Sequence, residues 1–243
     1  MGRRQALPHM KKIYTFGDGF ATGHLWPEWP QILQALVPDY QVINDCSAVG
    51  AGAEYLVTGF VDLIPELENH LVIFQWPMAE RFDKLVEDKH WFHVGKTDPV
   101  YHFNFHKRPY GIWWISSASR QPQVREYHEK FVQSGQHKIR LTNYQTLVRN
   151  TLENLNCDYY FTSTDEHQYY STLNRFAETR QQEIQPSPIV HYYFLIEKIL
   201  PNINITYDPV RAKRLENLIT AQSWQSYDPY GKEIWRDLVA RLD

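Results

Sequence analysis

Short apolar runs alternate with longer segments of helical periodicity along most of the chain. This alternation predicts parallel strands joined by crossover helices. The predicted strands are Lys12–Phe16, Gln41–Asn44, Leu71–Gln75 and Tyr159–Thr162, with a possible fifth at Ile203–Tyr207. The predicted helices are Pro30–Leu36, Glu54–Glu68, Ala79–Glu87, Asn143–Asn154 and Gly231–Leu242. The expected fold class is therefore α/β, with a doubly wound parallel sheet.

Two segments interrupt this alternation. Residues 89–119 are too aromatic for a free linker and too irregular for one helix, so we interpret them as an ordered cap or hairpin over the ligand edge of the sheet. Residues 181–209 form a second insertion, in which the apolar run Ile189–Leu200 predicts a helix. We assign residues 11–243 to a single domain with these insertions, and we interpret residues 1–10 as a leader or a disordered N-terminus.

Composition and charge argue against several classes of partner. The 243 residues are 43% hydrophobic and 22% charged, which is typical of a globular domain. A formal net charge of -3 and the lack of a long basic run argue against nucleic acid and anionic membranes. No segment is apolar enough to span a bilayer. Cys46 and Cys157 form no metal-like pair, so we expect buried thiols in the reducing cytoplasm.

Small and polar residues follow the predicted strands, at the edge where doubly wound sheets bind their ligands. The turn Gly17–Gly19 ends the first strand, which is a usual place for a nucleophile, but Gly19 has no side-chain oxygen. We interpret Asp18 as an anchor that accepts N–H bonds within this turn. The other candidates in these turns are Ser47, Gly50, Gln75, Trp76, Arg81, Asp165 and His167.

The order of these turns resembles that of the SGNH (GDSL-type) hydrolases. Gly17–Gly19 takes the place of the family's Gly-Asp-Ser motif, and Ser47–Gly52 resembles the second block, in which Gly50 would donate its N–H to an oxyanion. Gln75–Phe82 resembles the Trp-containing third block of phage-encoded members, and Asp228–Trp235 resembles the last block. The resemblance implies a three-layer sheet of the SGNH or flavodoxin type with an aromatic cap, in a phage protein.

The positions that carry catalysis in that family are changed here. Gly19 replaces the serine nucleophile, Pro77 or a neighbour replaces the asparagine of the oxyanion hole, and no histidine follows His191. With the resemblance, these changes predict a cytoplasmic protein that binds a small polar or acylated, carbohydrate-like ligand without hydrolysing it and without a cofactor. Backbone N–H groups can bind such a ligand oxygen. The expected ligand-binding residues are Gly19, Gly50, Gln75, Trp76, Arg81 and His24.

Two other functions fit the same residues. The first is an esterase or O-deacetylase, in which Gly19 stands in place of a natural serine or the catalytic groups are relocated. Relocated groups would come from Asp18, Ser47, Asp165 and His167, or from His24 and Thr22. The second is a phage structural or assembly protein that forms an oligomer through its aromatic segment.

The histidines of the first insertion have spacings that could gather a metal ion. They are His90, His93, His102 and His106. The residues between them are bulky and favour strands, and no carboxylate or cysteine occurs in a matching frame. We therefore predict no metal site, and we expect the aromatic side chains here to pack as a lid or to stack on a sugar.

Overall fold

The protein is built around a four-stranded parallel sheet, whose strands lie side by side in the order second, first, third and fourth along the chain. A computed structural model describes residues 11–21, 27–48, 51–79, 82–86, 107–108, 111–116, 130, 134–166, 186–222, 224 and 231–242. The strands of this sheet are β1 (Lys12–Phe16), β2 (Gln41–Ile43), β3 (Leu71–Trp76) and β7 (Asp158–Ser163). The four main strands predicted from the sequence are thus confirmed, and so is the α/β class with a parallel sheet.

Strand register brings the carboxyl ends of the four strands to one side. Ile13 of β1 lies opposite both Val42 of β2 and Leu71 of β3, while Trp76 lies opposite Ser163 of β7. Because all pairings are parallel, the turns that follow the strands meet at the same edge of the sheet. We call it the carboxyl edge.

Helices flank the sheet on both faces. They are α1 (Trp29–Leu36), α2 (Ala53–Leu63), α3 (Ser134–Asn154), α4 (Pro188–Phe194), α5 (Pro209–Ala221) and α6 (Gly231–Val239). The helix predicted from Asn143 begins already at Ser134. After α4 the chain continues as a π-helical turn and a 3-10 turn up to Asn202, so the apolar run Ile189–Leu200 is helical as predicted. Among the described residues, none of the helices has the length and hydropathy needed to cross a membrane.

Alternate residues of each strand face different clusters of the core, as a strand requires. Ile13 and Ile73 pack with α1, α4, α5 and α6 on one face. Phe16, Phe74 and Trp76 pack with α2 and α3 on the other face. Burial on both faces explains why the strands are continuous apolar runs in the sequence. We call the second face the α2/α3 face.

Both cysteines are buried free thiols, as predicted. They belong to the core of the α2/α3 face. Burial raises the pKa of the Cys157 thiol, and its sulfur lies 3.0 Å from the carbonyl oxygen of Leu67. A buried thiol with a raised pKa is a packing group rather than a nucleophile.

The helix predicted at Ala79–Glu87 is wrong. Residues Phe82–Val86 form strand β4, which pairs antiparallel with β6 (Gly111–Ser116), and β6 also pairs with β5 (Lys107–Arg108) in a second sheet of three strands. The apolar residues of this short run fit a helical spacing as well as a strand, so pairing with β6 decides its structure. β5 and β6 form a hairpin within the first insertion, and the rest of residues 89–119 lies outside the described residues.

The possible fifth strand at Ile203–Tyr207 is also wrong. The Ile205 N–H donates to the carbonyl of Ile203 at 2.8 Å, which is a local turn rather than a sheet pairing. Its alternating apolar side chains instead pack against the core on the α1 side of the sheet. Helix α5 follows and was not predicted, although Asp208 caps it through Val210 N–H at 2.8 Å and proline opens it.

The turn between α3 and β7 reverses the chain tightly. Asn156 adopts a left-handed conformation with φ of 49°, which asparagine tolerates better than most residues. Cys157 N–H donates to Leu152 O at 3.0 Å, and Asn156 N–H donates to Glu153 O at 3.2 Å. These two bonds end the helix as a Schellman motif, so the last turn of α3 lies at the amino end of β7.

Candidate functional site

The turn after β1, which we call the first turn, occupies the centre of the carboxyl edge. Gly17 and Asp18 lead into a 3-10 turn at Gly19–Ala21, all of it buried. Ala48 N–H, in the loop after β2, donates to the Gly17 carbonyl at 3.2 Å. The turns after β1 and β2 are therefore in direct contact.

Asp18 links the first turn to the far side of the sheet. Its side chain is 0% exposed, and Oδ1 accepts the N–H of Phe20 at 3.1 Å. Oδ2 accepts the hydroxyl of Thr164 at 3.0 Å, although 146 positions separate the two residues. Thr164 follows β7, which is separated from β1 by β3, so this bond passes over the end of β3. Asp18 thus does accept a local N–H bond, as an anchor of the turn would.

Asn44 connects the first two turns and was missed by the sequence analysis. Its Oδ1 accepts the hydroxyls of Thr15 at 2.8 Å and Ser47 at 2.6 Å. Its Nδ2 donates to the carbonyl of Ala21 at the end of the first turn. An asparagine directly after a strand, followed by a serine, is a turn signal that the sequence already contains.

Gly17 is required by close packing. An ideal Cβ on Gly17 would lie 2.6 Å from the Cβ of Ala21 and 3.2 Å from Oε1 of Gln75. That Gln75 oxygen accepts the indole N–H of Trp29 at 2.9 Å, which ties the end of β3 to α1. The first turn can therefore approach β3 only because residue 17 has no side chain.

Hydroxyl groups at this edge are engaged within the protein. Ser47 is 7% exposed and donates to an amide oxygen of Asn44, which is too weakly basic to activate a serine. Thr164 donates to Asp18. Ser163 Oγ accepts the Glu166 N–H at 3.1 Å and so caps the helical turn after β7. The described arrangement therefore contains binding groups but no paired serine and base.

The ring of Trp76, at the end of β3, is covered by other aromatic side chains. Its side chain is 2% exposed and stacks on Phe74 with ring centroids 4.0 Å apart, while Phe161 contacts it edge-on at 5.5 Å. With its ring covered, Trp76 cannot present a stacking face to a sugar. The buried Nε1 has no hydrogen-bond partner among the described residues.

The structure brings only some of the predicted site residues together. Asp18, Gly19, Ser47 and Gln75 meet at the carboxyl edge, with Trp76 at the end of β3. Asp165 is exposed in the helical turn after β7. The predicted candidates that lie outside the described residues are Thr22, His24, Gly50, Arg81, His167 and the four histidines of the first insertion. Within the described part of the chain, no cluster of metal-ligating side chains is present.

A buried histidine lies elsewhere, on helix α4. His191 is 0% exposed, and this burial lowers its pKa from 6.5 to about 3, while a backbone hydrogen bond at Pro186 acts in the opposite direction. The imidazole is therefore neutral in the folded protein at neutral and mildly acidic pH.

We expect His191 to make the protein sensitive to acid. Between pH 6.5 and about 3 the unfolded chain binds a proton here that the folded chain does not, so stability falls as the pH drops. The loss should reach about 2 kcal/mol at pH 5 relative to pH 8. His191→Gln should show a smaller loss in urea denaturation at the two pH values. An equal loss in the variant and the parent would contradict this assignment.

The chain matches no protein-family profile, no curated protein and no solved structure. The class that the fold defines is an α/β protein with a four-stranded parallel sheet flanked by helices.

Proposed function

We propose that this chain is an SGNH-like protein that binds a small polar ligand at the carboxyl edge without hydrolysing it. In this proposal the fold is the three-layer, doubly wound arrangement of that family, and residues 89–119 cap the edge. The ligand is acylated or carbohydrate-like, and the protein acts in the host cytoplasm of a phage. The observation that carries the proposal is the buried turn at Gly19, which has no hydroxyl where the family has its nucleophile.

The side-chain hydrogen bonds around this turn support ligand binding rather than ligand hydrolysis. The hydrogen bonds of Asp18 with Thr164 and of Asn44 with the Ala21 carbonyl join the turn to the ends of β7 and β2. Ser47 supplies the hydroxyl of the loop after β2, and its partner is an amide instead of a base. Preorganised polar groups of this kind favour recognition of a ligand, and hydrolysis needs an activated nucleophile in addition.

The position of the turn supports a ligand site as well. Open parallel sheets bind ligands outside the carboxyl ends of their strands, where loops from several strands meet. Here the turns after β1, β2 and β7 are joined by hydrogen bonds at that location. We propose that Gly50, Gln75, Trp76, Arg81 and His24 complete the ligand contacts around Gly19. Trp76 would contribute its indole N–H.

Binding and turnover can be tested separately on the intact chain. We expect no hydrolysis of p-nitrophenyl acetate above the buffer rate, and weak saturable binding of N-acetylglucosamine with a dissociation constant of roughly 1 mM. Binding would be followed by ligand-observed NMR. Gly19→Ser should remain inactive because, in the part of the chain that the structure describes, no base is paired with that position, and Gly19→Ala is the matched control.

Three results would count against the proposal. Esterase activity of the unmodified chain that disappears in Ser47→Ala would show a relocated catalytic site. Activity that appears in Gly19→Ser and not in Gly19→Ala would show an enzyme whose serine has been replaced. Absence of binding to acylated and unacylated sugars alike would remove the ligand site itself.

A further inference from the structure

The outer face of helix α3 is exposed to solvent but carries almost no charge at its centre. Ile139 is 63% exposed and Leu147 is 47% exposed, which places two large apolar side chains on this surface. Several exposed residues lie within about 60° of Ile139 around the helix axis, and they are polar but uncharged. They are Gln136, Thr142, Asn143, Thr146 and Asn150.

This composition is unusual for a helix surface in water, which normally carries charged side chains. Helix α6 of the same protein follows the rule, because each of its exposed residues is charged. On α3, the exposed charged residues Lys138, Arg149 and Glu153 lie about 40° to 100° from Ile139, all on the same flank. The centre of the outer face is thus depleted in charge, as the core of a protein–protein interface is.

The spacing of these residues is that of a helix that packs against another helix. Ile139, Asn143, Thr146 and Asn150 are four, three and four positions apart, so they form one stripe along α3. The hydroxyls of Thr142 and Thr146 donate to backbone carbonyls of α3, each at 2.9 Å. Because these hydroxyls are bonded within the helix, a second helix can cover both threonines without leaving a hydroxyl unpaired.

The charged flank is complementary to an antiparallel copy of the same helix. With a two-fold axis at Thr146, Lys138 of one copy is level with Glu153 of the other to within about 1.5 Å along the axis, on the same flank. Asn143 is likewise level with Asn150 of the other copy, and an amide has both donors and an acceptor. A parallel pair would instead place each charge beside its own kind.

We propose that the outer face of α3 is the interface of a homodimer, in which the α3 helices of two copies pack antiparallel around a two-fold axis at Thr146. The partner is a second copy because the charge pattern is complementary to itself, as an isologous interface requires. Glu153 accepts the Tyr159 hydroxyl at 2.8 Å, and a carboxylate can accept a bond from Lys138 as well. This inference goes beyond the proposed function and does not depend on the ligand site.

Sedimentation velocity of the full chain over a range of concentrations tests the dimer. One pair of helices is a small interface, so we expect a dissociation constant of roughly 10 µM. Ile139→Glu should weaken the dimer at least about tenfold, because the new carboxylate would face Glu153 of the second copy. Val210→Glu is the matched control, since Val210 is an apolar residue of α5 that is 76% exposed. It should dimerise like the unmodified chain.

Charge reversal tests the antiparallel arrangement. Lys138→Glu and Glu153→Lys should each weaken the dimer about fivefold, because each places two like charges beside one another. The chain that carries both changes regains the opposite charges, so its dissociation constant should return close to that of the unmodified chain. Both positions are exposed, and circular dichroism would verify that the variants fold.

Three results would overturn the proposal. An unmodified chain that stays monomeric up to roughly 200 µM would show that the face does not bind a second copy. A dimer that Ile139→Glu and Val210→Glu affect equally would lie on another surface. Weak dimers in both charge variants, with no recovery when they are combined, would exclude the two-fold axis at Thr146.

Discussion

Replacing Gly17 by alanine should lower the free energy of unfolding by about 3 kcal/mol, the upper part of the range for overpacked sites. The new methyl group would lie 2.6 Å from the Cβ of Ala21, which is a steric clash between two carbon atoms. Relief would require the turn at Gly19–Ala21 to move away from residue 17, because Gln75, which is held by the indole of Trp29, lies within 3.2 Å of the new methyl group as well. The measurement is urea denaturation followed by circular dichroism.

Gly135→Ala is the matched control for this substitution. Gly135 lies in the first turn of α3, and a Cβ there would meet no atom within 4 Å. Alanine is the better helix former, so this variant should be more stable by about 0.5 kcal/mol. If the two substitutions changed stability in the same direction and by similar amounts, the close approach at Gly17 would not be what fixes the first turn.

Replacing Asp18 by alanine should cost about 3 kcal/mol, because it leaves two buried donors without their acceptor. These donors are the Phe20 N–H and the Thr164 hydroxyl. Thr164→Val removes one of the two bonds and should cost about 1.5 kcal/mol. In the double variant the costs should not add, and a coupling energy of about 1 kcal/mol is expected from denaturation of all four proteins.

Thr146→Val is the reference variant, because the hydrogen bond of the Thr146 hydroxyl contributes little to the free energy of unfolding. Its hydroxyl donates to the Thr142 carbonyl at 2.9 Å on the exposed surface of α3. Water can replace such a partner, so the change should stay within about 0.5 kcal/mol. Additive effects of Asp18→Ala and Thr164→Val would show that the bond over the end of β3 does not hold the edge together.

These two experiments also bear on function. Both substitutions act on the first turn, where the proposed ligand site is centred. Because the Asp18 and Gly17 contacts fix that turn to three other elements, loss of either should weaken N-acetylglucosamine binding along with stability. In this proposal the polar links of the carboxyl edge serve both the fold and the ligand site.

Local sequence patterns were sufficient to predict most of the main strands and helices. The strands β1, β2, β3 and β7 and the helices α1 and α2 follow directly from apolar runs and helical spacing, since each is buried in a regular way. Where the same pattern fits two structures, prediction failed. Residues Phe82–Val86, which were predicted to be helical, form a strand because they pair with β6. Residues Ile203–Tyr207 form no strand, although apolar and polar residues alternate along them.

For the site, the sequence by itself determined that residue 19 has no nucleophilic side chain, that Asp18 lies in a tight turn, and that polar residues follow several strands. Only the tertiary structure decided which of these groups meet: Asp18 with Thr164, and Asn44 with Ser47 and the first turn. The physical reason is that propensity and periodicity act over a few neighbouring residues, whereas these contacts join segments far apart in the chain through the order and register of the strands.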